Sequence, residues 1–384
     1  MCVNILQAGV ALMDFSVWII MSGLLVIGAA AGFLMHRSDF CMAGAFRDVF
    51  LFKSYKLIRP LVLLITLSAL LFELFRLTGI LPSYPFPWFA PPAGVNIFGG
   101  MVFGLGMVLA GGCVVGVLYK MGSGNLMAFI AFLGLIAGSA LYAEIHIWWR
   151  SLAKQTSFST QAVTIPQWIG VSSIMPVLAF VAIGGFFCWR WQRAGLWVNK
   201  NEAEGFIPLW LTATGLAVLG ALAVLLCGIP MGVTTSYAKG AALVESWIIP
   251  GHLATLPYFT TVPAHLSLPV DGILRSGGAG VHFDIIAIVQ VPLILGIIGG
   301  AWLSAQLLGE FRIIWKVPFN QVTMVFAGGV IMALGARMSP GCNVWHLWGG
   351  FPLLTMQSLL FAVGLLPGAW LGGKVLQRVL ITAA

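Results

Sequence analysis

Long apolar runs dominate this chain, and no long polar interval separates them. A membrane span needs about 20 mostly apolar residues, because the helix must satisfy its own backbone hydrogen bonds across roughly 30 Å of hydrocarbon. The runs lie at about 16–36, 60–80, 95–110, 125–147, 168–189, 207–228, 284–308, 321–338 and 355–373. The sequence therefore predicts an all-α polytopic membrane protein with about nine transmembrane helices, formed as one transmembrane domain over residues 1–384.

The chain also contains short segments that are too brief to cross a bilayer. They lie at about 40–52, 112–121, 231–246 and 341–350, and glycine or proline flanks them. The 47 glycines and 19 prolines exceed what simple bundled helices need, whereas broken membrane helices use both residue types. We therefore predict four re-entrant half-helices. With 60% hydrophobic and 8% charged residues, a soluble catalytic domain is excluded.

The basic residues indicate an orientation in the membrane. Twelve of the 19 Lys and Arg residues lie in 37–59, 190–205, 309–318 and the tail after 373, whereas the alternate loops 81–94, 148–166 and 248–281 hold only three. Lys and Arg are biased to the cytoplasmic side, so we predict a periplasmic N-terminus and a cytoplasmic C-terminus in the bacterial inner membrane. Because the basic residues fall in short clusters between apolar spans and form no continuous basic face with interleaved aromatic residues, the net charge of +8 does not indicate a nucleic-acid partner.

The two halves of the chain resemble each other. GGMVFGLGMVLAGGC from Gly99 and GGVIMALGARMSPGC from Gly328 share six of fifteen positions at a constant offset of 229. With 168–189 as a linking span, a first repeat over 16–147 and a second over 207–373 each contain four spans. The predicted threading places them in opposite orientations. This arrangement is an inverted repeat, which is typical of transporters that bind substrate near the membrane midplane.

Both copies of the repeat end at a cysteine where a span breaks and a short segment begins. Gly111 and Gly112 precede Cys113, and Gly341 precedes Cys342. Glycine permits the turn, and a half-helix that starts there directs free backbone N–H groups and its positive end towards an anion. A single buried cysteine is usually a packing residue. Two at equivalent breaks, with Cys41 in RSDFC as a third, favour a path for an anion.

Other polar residues carry weaker predictions. Arg337 lies five residues before Cys342 at the end of an apolar run, so it is a functional candidate, with snorkelling to the interface as the structural alternative. Arg37 and Asp39 are candidates for a gate or helix-pinning pair. His346 is interpreted as structural. We interpret the three remaining cysteines, Cys2, Cys188 and Cys227, as packing residues. No pair of cysteines has CxxC spacing, so no metal or cofactor is expected.

Three motifs, RSDFCMAGAFRD, GLGMVLAGGCVVGVLYKMGSGN and GARMSPGCNVWHLWGG, resemble the YeeE/YedE family of bacterial membrane proteins, and the resemblance covers nearly the whole chain. It implies an hourglass-shaped helical fold in which Cys41, Cys113 and Cys342 line a central path. It also implies import of thiosulfate through transient S–H···S contacts. The second half has VTTS where RSDFC provides its cysteine, so Thr234 or Thr235 is expected to take a polar role there.

The predicted function is import of thiosulfate or a related sulfur-containing anion, without enzymatic activity. The expected partners are this small anion, the lipid bilayer and a cytoplasmic sulfur-carrier protein. Three alternatives stay open. One is a membrane subunit with no transport of its own, although such a subunit would not need matched Gly-rich breaks in both halves. A membrane thiol–disulfide oxidoreductase would favour paired cysteines at one membrane face. A transporter of a selenium compound would use the same path, since some relatives in the resembled family are associated with selenium metabolism.

Overall fold

The computed structural model describes residues 15–80, 89–159, 162–197, 205–249, 251–313 and 317–382. Cys2 lies outside these residues. So do Lys200 and Lys316, two of the basic residues counted in the predicted cytoplasmic segments 190–205 and 309–318. Within the described residues, nine helices are long and apolar enough to cross a membrane. The prediction of an all-α polytopic membrane protein is confirmed.

The long helices are α1 (Phe15–Ser38), α3 (Ile58–Leu77), α4 (Val95–Leu109), α6 (Leu126–Gln155), α8 (Ile174–Arg193), α9 (Leu209–Cys227), α12 (Ile285–Leu307), α13 (Phe319–Met338) and α14 (Met356–Thr382). The shorter helices are α2 (Met42–Phe52), α5 (Val114–Gly122), α7 (Ile165–Ile169), α10 (Thr234–Ile248) and α11 (Pro257–Thr260), with a 3₁₀ turn at His252–Thr255. A π-helical segment spans Val344–Gly350. Two antiparallel strands, β1 (Ala264–Ser267) and β2 (Leu274–Gly277), form a hairpin before α12.

Three details differ from the sequence prediction. The linking span predicted at 168–189 is observed at Ile174–Arg193, because a capping box at Thr164 starts the separate helix α7 and Gly170 ends it in the left-handed region. Helix α6 continues beyond 147, since Trp149 packs into the interior and its indole N–H donates to the Met338 carbonyl at 2.8 Å. The β-hairpin is an addition to the all-α prediction.

The long helices pack in a small set of pairs. Helix α1 lies against α12 and α9, and α4 lies against α14 and α13. Helix α3 packs on α9, and α6 packs on α13. The linking helix α8 packs mainly against α3 and exposes large apolar side chains such as Met175, Ile183 and Phe186. An exposed apolar surface of this kind suits contact with lipid.

Glycines set the closest of these contacts. At the crossing of α1 and α12, Gly28 and Gly32 face Gly296 and Gly300, and a Cβ on any of the four would collide with the backbone of the other helix. Small residues allow membrane helices to approach closely and gain packing energy without a hydrophobic driving force. The glycines of the sequence repeat at 99, 100, 106, 328, 329 and 335 also meet neighbouring helices, so their role is packing.

We expect Gly300→Ala to destabilise the protein, because its methyl group would collide with the Ala29 carbonyl and force α1 and α12 apart. Overpacking of this kind costs about 1–3 kcal/mol. Gly299→Ala is the matched control, since its new Cβ would have no heavy atom within 4 Å. Thermal unfolding in detergent should show a lower midpoint for Gly300→Ala alone. Equal midpoints for the two variants would contradict this description of the helix contact.

Loop contacts divide into two groups at opposite ends of α1. At its C-terminal end, which we call the Arg37 end, the buried Arg37 guanidinium pairs with Glu310 at 2.6 Å. At its N-terminal end, Ser16 donates to the Asp271 carboxylate at 2.7 Å; we call this end, where α13 terminates, the Arg337 end. Arg37 therefore binds the loop after α12. The ion pair between Arg37 and Asp39 that the sequence suggested is not observed.

Candidate functional site

Four helix breaks surround the centre of the fold. Each separates a long helix from a short segment, and each contains a residue with positive φ: Asp39 (49°), Gly111 (71°), Gly228 (72°) and Gly341 (149°). Only glycine enters this region without steric cost, and Asp is among the few other residues that tolerate it. The breaks therefore follow from local residue types, as predicted for Gly111 and Gly341.

The breaks before α2 and α5 bring two cysteines together. Cys41 and Cys113 are the N-cap residues of these helices, and their side chains lie close to each other. Both thiols lie over Gly116, where a Cβ would sit 2.9 Å from the Cys41 sulfur and 3.4 Å from the Cys113 sulfur. The Gly116 N–H also donates to the Cys113 sulfur at 3.4 Å. Sequence reasoning missed Gly116, although GGCVVG carries it as an additional glycine.

A cavity opens beside Cys41 at the Arg37 end. Its volume is about 60 Å³, and a buried site needs only about 10–15 Å³ to hold a water molecule. The charged side chains that line it are Asp39, Arg47, Asp48 and Lys120. The Lys120 ammonium donates to the carbonyl of Gly111. Gly111 is exposed at this cavity, whereas Gly112 is buried. A small solute could therefore reach the Cys41 thiol from this end.

Cys342 occupies the break between α13 and the π-helical segment, and it is 1% exposed. The backbone N–H groups of Val344 and Trp345 lie near its sulfur. The break is held by His346, whose Nε2–H donates to the Ser339 carbonyl at 2.6 Å and whose Nδ1 accepts from the Ser358 hydroxyl at 3.0 Å. His346 is fully buried, so its role here is structural.

Helix α10 approaches both cysteine groups. Its first residue, Thr234, is buried and Thr235 is half-buried. One turn further along, the Tyr237 hydroxyl lies within electrostatic range of the Cys342 and Cys113 thiols, and these two thiols are in range of each other. These two thiols, the Tyr237 phenol and the Cys41 thiol thus lie in one buried cluster. Sequence reasoning missed Tyr237, because an aromatic residue in a short helix usually indicates packing.

Arg337 adds a positive charge near Cys342. It lies in the last turn of α13, is 9% exposed, and donates from Nη1 to the Tyr258 hydroxyl at 2.9 Å. Among the described residues no carboxylate pairs with it. The helix C-terminus compensates only part of this charge. A buried cation without an ionic partner favours an anion beside it.

The remaining thiols lie elsewhere. The buried Cys227 thiol donates to the Ala223 carbonyl at 2.8 Å, and Cys188 is half-buried on the peripheral helix α8. A separate group of possible metal ligands lies at the Arg337 end, formed by Glu144, Glu245 and His252, with ligand atoms within 4.8 Å of one another. His252 Nδ1 already donates to Glu245 at 2.6 Å, and this hydrogen bond accounts for their contact without a metal.

In the part of the chain that the structure describes, nine spans with four internal breaks around a buried polar cluster define a multi-pass membrane transport protein. A family model described as sulphur transport matches residues 37–371, and the chain belongs to this family. The prediction of a transporter rather than an enzyme is confirmed by this membership, as is the resemblance to YeeE/YedE proteins.

Two relatives match nearly end to end. The chain is 30% identical to the thiosulfate transporter TsuA of Spirochaeta thermophila, over 92% of this chain and 98% of that protein. It is 27% identical to the thiosulfate transporter TsuA of Escherichia coli, over 91% of this chain and 93% of that protein. A probable transporter YedE of Salmonella typhimurium is 27% identical over 46% of this chain and 44% of its own length.

Proposed function

We propose that this chain imports thiosulfate into the bacterial cytoplasm through a path that runs from Cys342 past Cys113 to Cys41. The observation that carries the proposal is the continuous group of buried thiols at helix breaks, with Arg337 near one end and the solute-sized cavity at the other. Two full-length relatives named as thiosulfate transporters support the choice of anion.

The chemistry of the path suits a dianion that must shed water. Desolvating thiosulfate is costly unless donors replace its hydration shell, and an unpaired carboxylate beside it would repel it. In the cavity beside Cys41, Arg47 and Lys120 accompany Asp39 and Asp48 and offset their charge. Protonated thiols are weak donors, and weak successive sites allow the ion to leave as well as to bind. Gly111, Gly112 and Gly341 contribute by breaking the helices, so that backbone N–H groups and thiols face the path. Buried Thr234, with Thr235, supplies a hydroxyl at the fourth break.

The oxidoreductase alternative predicts paired cysteines, and the structure does pair Cys41 with Cys113. Disulfide exchange with a protein partner also requires access to the attacked sulfur. Cys41 and Cys113 are 4% and 1% exposed, so a partner protein could not reach them without a rearrangement. This burial, together with membership of a transport family, favours transport of a small anion.

An inverted repeat is part of the proposal, with 16–147 and 207–373 as its halves and 168–189 as the linking span. The proposed repeat matches α1, α3, α4 and α6 with α9, α12, α13 and α14, in that order. Under this match, a contact between α1 and α12 implies an equivalent contact between α9 and α3. A contact between α4 and α14 likewise implies one between α13 and α6. All four contacts are observed. The peripheral position of α8 suits a linker between the halves.

The orientation remains as the charge pattern predicts: inner membrane, N-terminus periplasmic, C-terminus cytoplasmic, with the Arg37 end in the cytoplasm. It is tested with single exposed cysteines, Tyr55→Cys and Val262→Cys, in a background with Cys2→Ala and Cys188→Ala. Both parent side chains are at least half exposed. In intact cells a membrane-impermeant maleimide should label Val262→Cys, and should label Tyr55→Cys only after permeabilisation. The reverse pattern would overturn the orientation.

A cytoplasmic sulfur-carrier protein is the proposed acceptor at the cavity beside Cys41. Its support is geometric: this cavity opens at the end that also carries exposed Lys53 and Lys56. Proteoliposomes that contain only this chain should accumulate thiosulfate more slowly than those loaded with a cytoplasmic extract. Equal rates would remove the carrier from the proposal without affecting transport itself.

The central test is growth of a bacterium deficient in sulfate uptake, with thiosulfate as its sole sulfur source. Cells that express this chain should grow, whereas cells with an empty vector should not. Verified membrane insertion without rescue would contradict thiosulfate import. Rescue by another sulfur-containing anion as sole sulfur source, but not by thiosulfate, would reassign the substrate. A selenium anion is tested by uptake of the labelled ion, because selenium cannot replace sulfur for growth.

A further inference from the structure

Tyr237 carries a buried hydroxyl whose function the packing does not explain. The residue is 3% exposed, and its hydroxyl oxygen has no hydrogen-bond partner among the described residues. A buried tyrosine hydroxyl normally finds a partner, because desolvating it without one is unfavourable. The ring is well packed, since it meets Phe132 edge-on with centroids 5.4 Å apart. The hydroxyl is therefore held in place without a protein ligand.

The surroundings of Tyr237 hold the start of α10 against the path. The Ser236 N–H donates to the Gln290 side-chain oxygen at 2.9 Å. A Cβ on Gly232 would lie 3.5 Å from both the Gln290 amide nitrogen and the Trp345 ring. These contacts link α10 to the segment that follows Cys342. Tyr237 therefore lies in the same buried cluster as Cys342 and Cys113, and its hydroxyl is near enough to both thiols and to Arg337 for their charges to act on it.

We propose that Tyr237 is a specificity-determining residue whose hydroxyl donates a hydrogen bond to an oxygen of the permeating anion between Cys342 and Cys113. This inference rests on the proposed function and deepens it. Thiosulfate has a terminal sulfur at one end and oxygen atoms at the other. The soft thiols match the sulfur end, and a phenolic O–H is the stronger donor for the oxygen end. Tyr237 would thus select a sulfur anion that also carries oxygen.

The test is Tyr237→Phe, which keeps the ring and its Phe132 contact and removes only the hydroxyl. Uptake of labelled thiosulfate into proteoliposomes should show a KM raised roughly 10-fold or more, because a hydrogen bond to a charged group is lost. The thermal midpoint of the ligand-free protein should stay the same or rise, since an unsatisfied buried group is removed. Tyr55→Phe, which removes an exposed hydroxyl, is the control and should leave the KM unchanged.

Thiosulfate transport by the parent protein distinguishes a failure of this inference from a failure of the proposed function. If the parent does not transport thiosulfate, the proposed function fails and the inference fails with it. If the parent transports and Tyr237→Phe has the parent KM, the hydroxyl does not contact the anion and only the inference is wrong. A lowered thermal midpoint with an unchanged KM would show a structural hydroxyl and would also overturn the inference. As a second measurement, thiosulfate should stabilise the parent in detergent more than it stabilises Tyr237→Phe.

Discussion

Cys113→Ala is expected to abolish thiosulfate uptake while the protein still inserts and folds. Cys113 lies at the centre of the thiol group, where its sulfur lies beside that of Cys41 over Gly116 and where it shares one buried cluster with Cys342. Replacing its thiol by a methyl group leaves little void, and the capping contact with the Gly116 N–H is weak at 3.4 Å. We expect a loss of stability of at most about 1 kcal/mol. Uptake assays and thermal unfolding of the same preparation measure both quantities.

Cys113→Ser separates hydrogen bonding from covalent chemistry. A hydroxyl keeps a donor of similar size, and serine is a favourable N-cap residue, so this variant should be at least as stable as the parent. Partial uptake is expected if the path works through hydrogen bonds. Complete loss would indicate that a thiolate or a persulfide is required.

Cys227→Ala is the matched control for Cys113→Ala, because Cys227 is equally buried but its thiol donates to helix carbonyls. It should transport like the parent, as should Cys2→Ala and Cys188→Ala. If Cys113→Ala itself transports normally, the thiols do not carry the anion. The glycine breaks and their backbone N–H groups would then have to account for the path.

Substitution of Arg337 should have opposite effects on transport and stability. In Arg337→Gln, uptake at low thiosulfate concentration should fall roughly 10- to 100-fold, because a charge-assisted contact with the entering anion is lost. The thermal midpoint should be unchanged or higher, since a buried cation without a carboxylate partner is costly to keep. Arg337→Lys should retain part of the uptake, because it keeps the charge but not the guanidinium geometry.

Arg193→Gln is the control for charge alone. Arg193 is exposed and lies over the Trp189 ring at 4.1 Å, far from the thiol group along the chain and on the peripheral helix α8. Its removal should leave uptake within experimental error. If Arg337→Gln lowers the thermal midpoint by several degrees and uptake falls only in proportion to the folded fraction, Arg337 is a structural residue.

The spans and breaks were predictable because each depends on neighbouring residues alone. An apolar run such as 284–308 has to cross the membrane because no soluble fold can bury it, and a helix is observed there at Ile285–Leu307. Gly111 and Gly341 mark breaks because a positive φ suits glycine. Prediction was weaker at 168–189, where the capping box at Thr164 belongs to a separate short helix. The sequence suggested Asp39, two residues away, as a partner for Arg37, whereas the structure pairs Arg37 with Glu310, which is distant in the chain.

The composition of the central cluster could not be predicted in the same way. Cys41, Cys113 and Cys342 were identified from their motifs, yet the sequence did not show that the first two are in contact. Gly116 and Tyr237 were missed, since a glycine or an aromatic residue in a short helix has many roles in packing. Whether a hydroxyl lacks a partner depends on every side chain around it.

The sequence alone determined the membrane class, the number of spans and the sites where helices break, because hydrophobic length and backbone preference act over a few adjacent residues. Only the tertiary structure decided which thiols lie together and, among the described residues, which cation lacks an ionic partner and which buried hydroxyl lacks a hydrogen bond. Those distances are set by glycine contacts between helices such as α1 and α12, whose residues are far apart in the chain. Helix packing brings residues from distant parts of the chain together in one site, so the geometry of that site depends on the whole helix bundle.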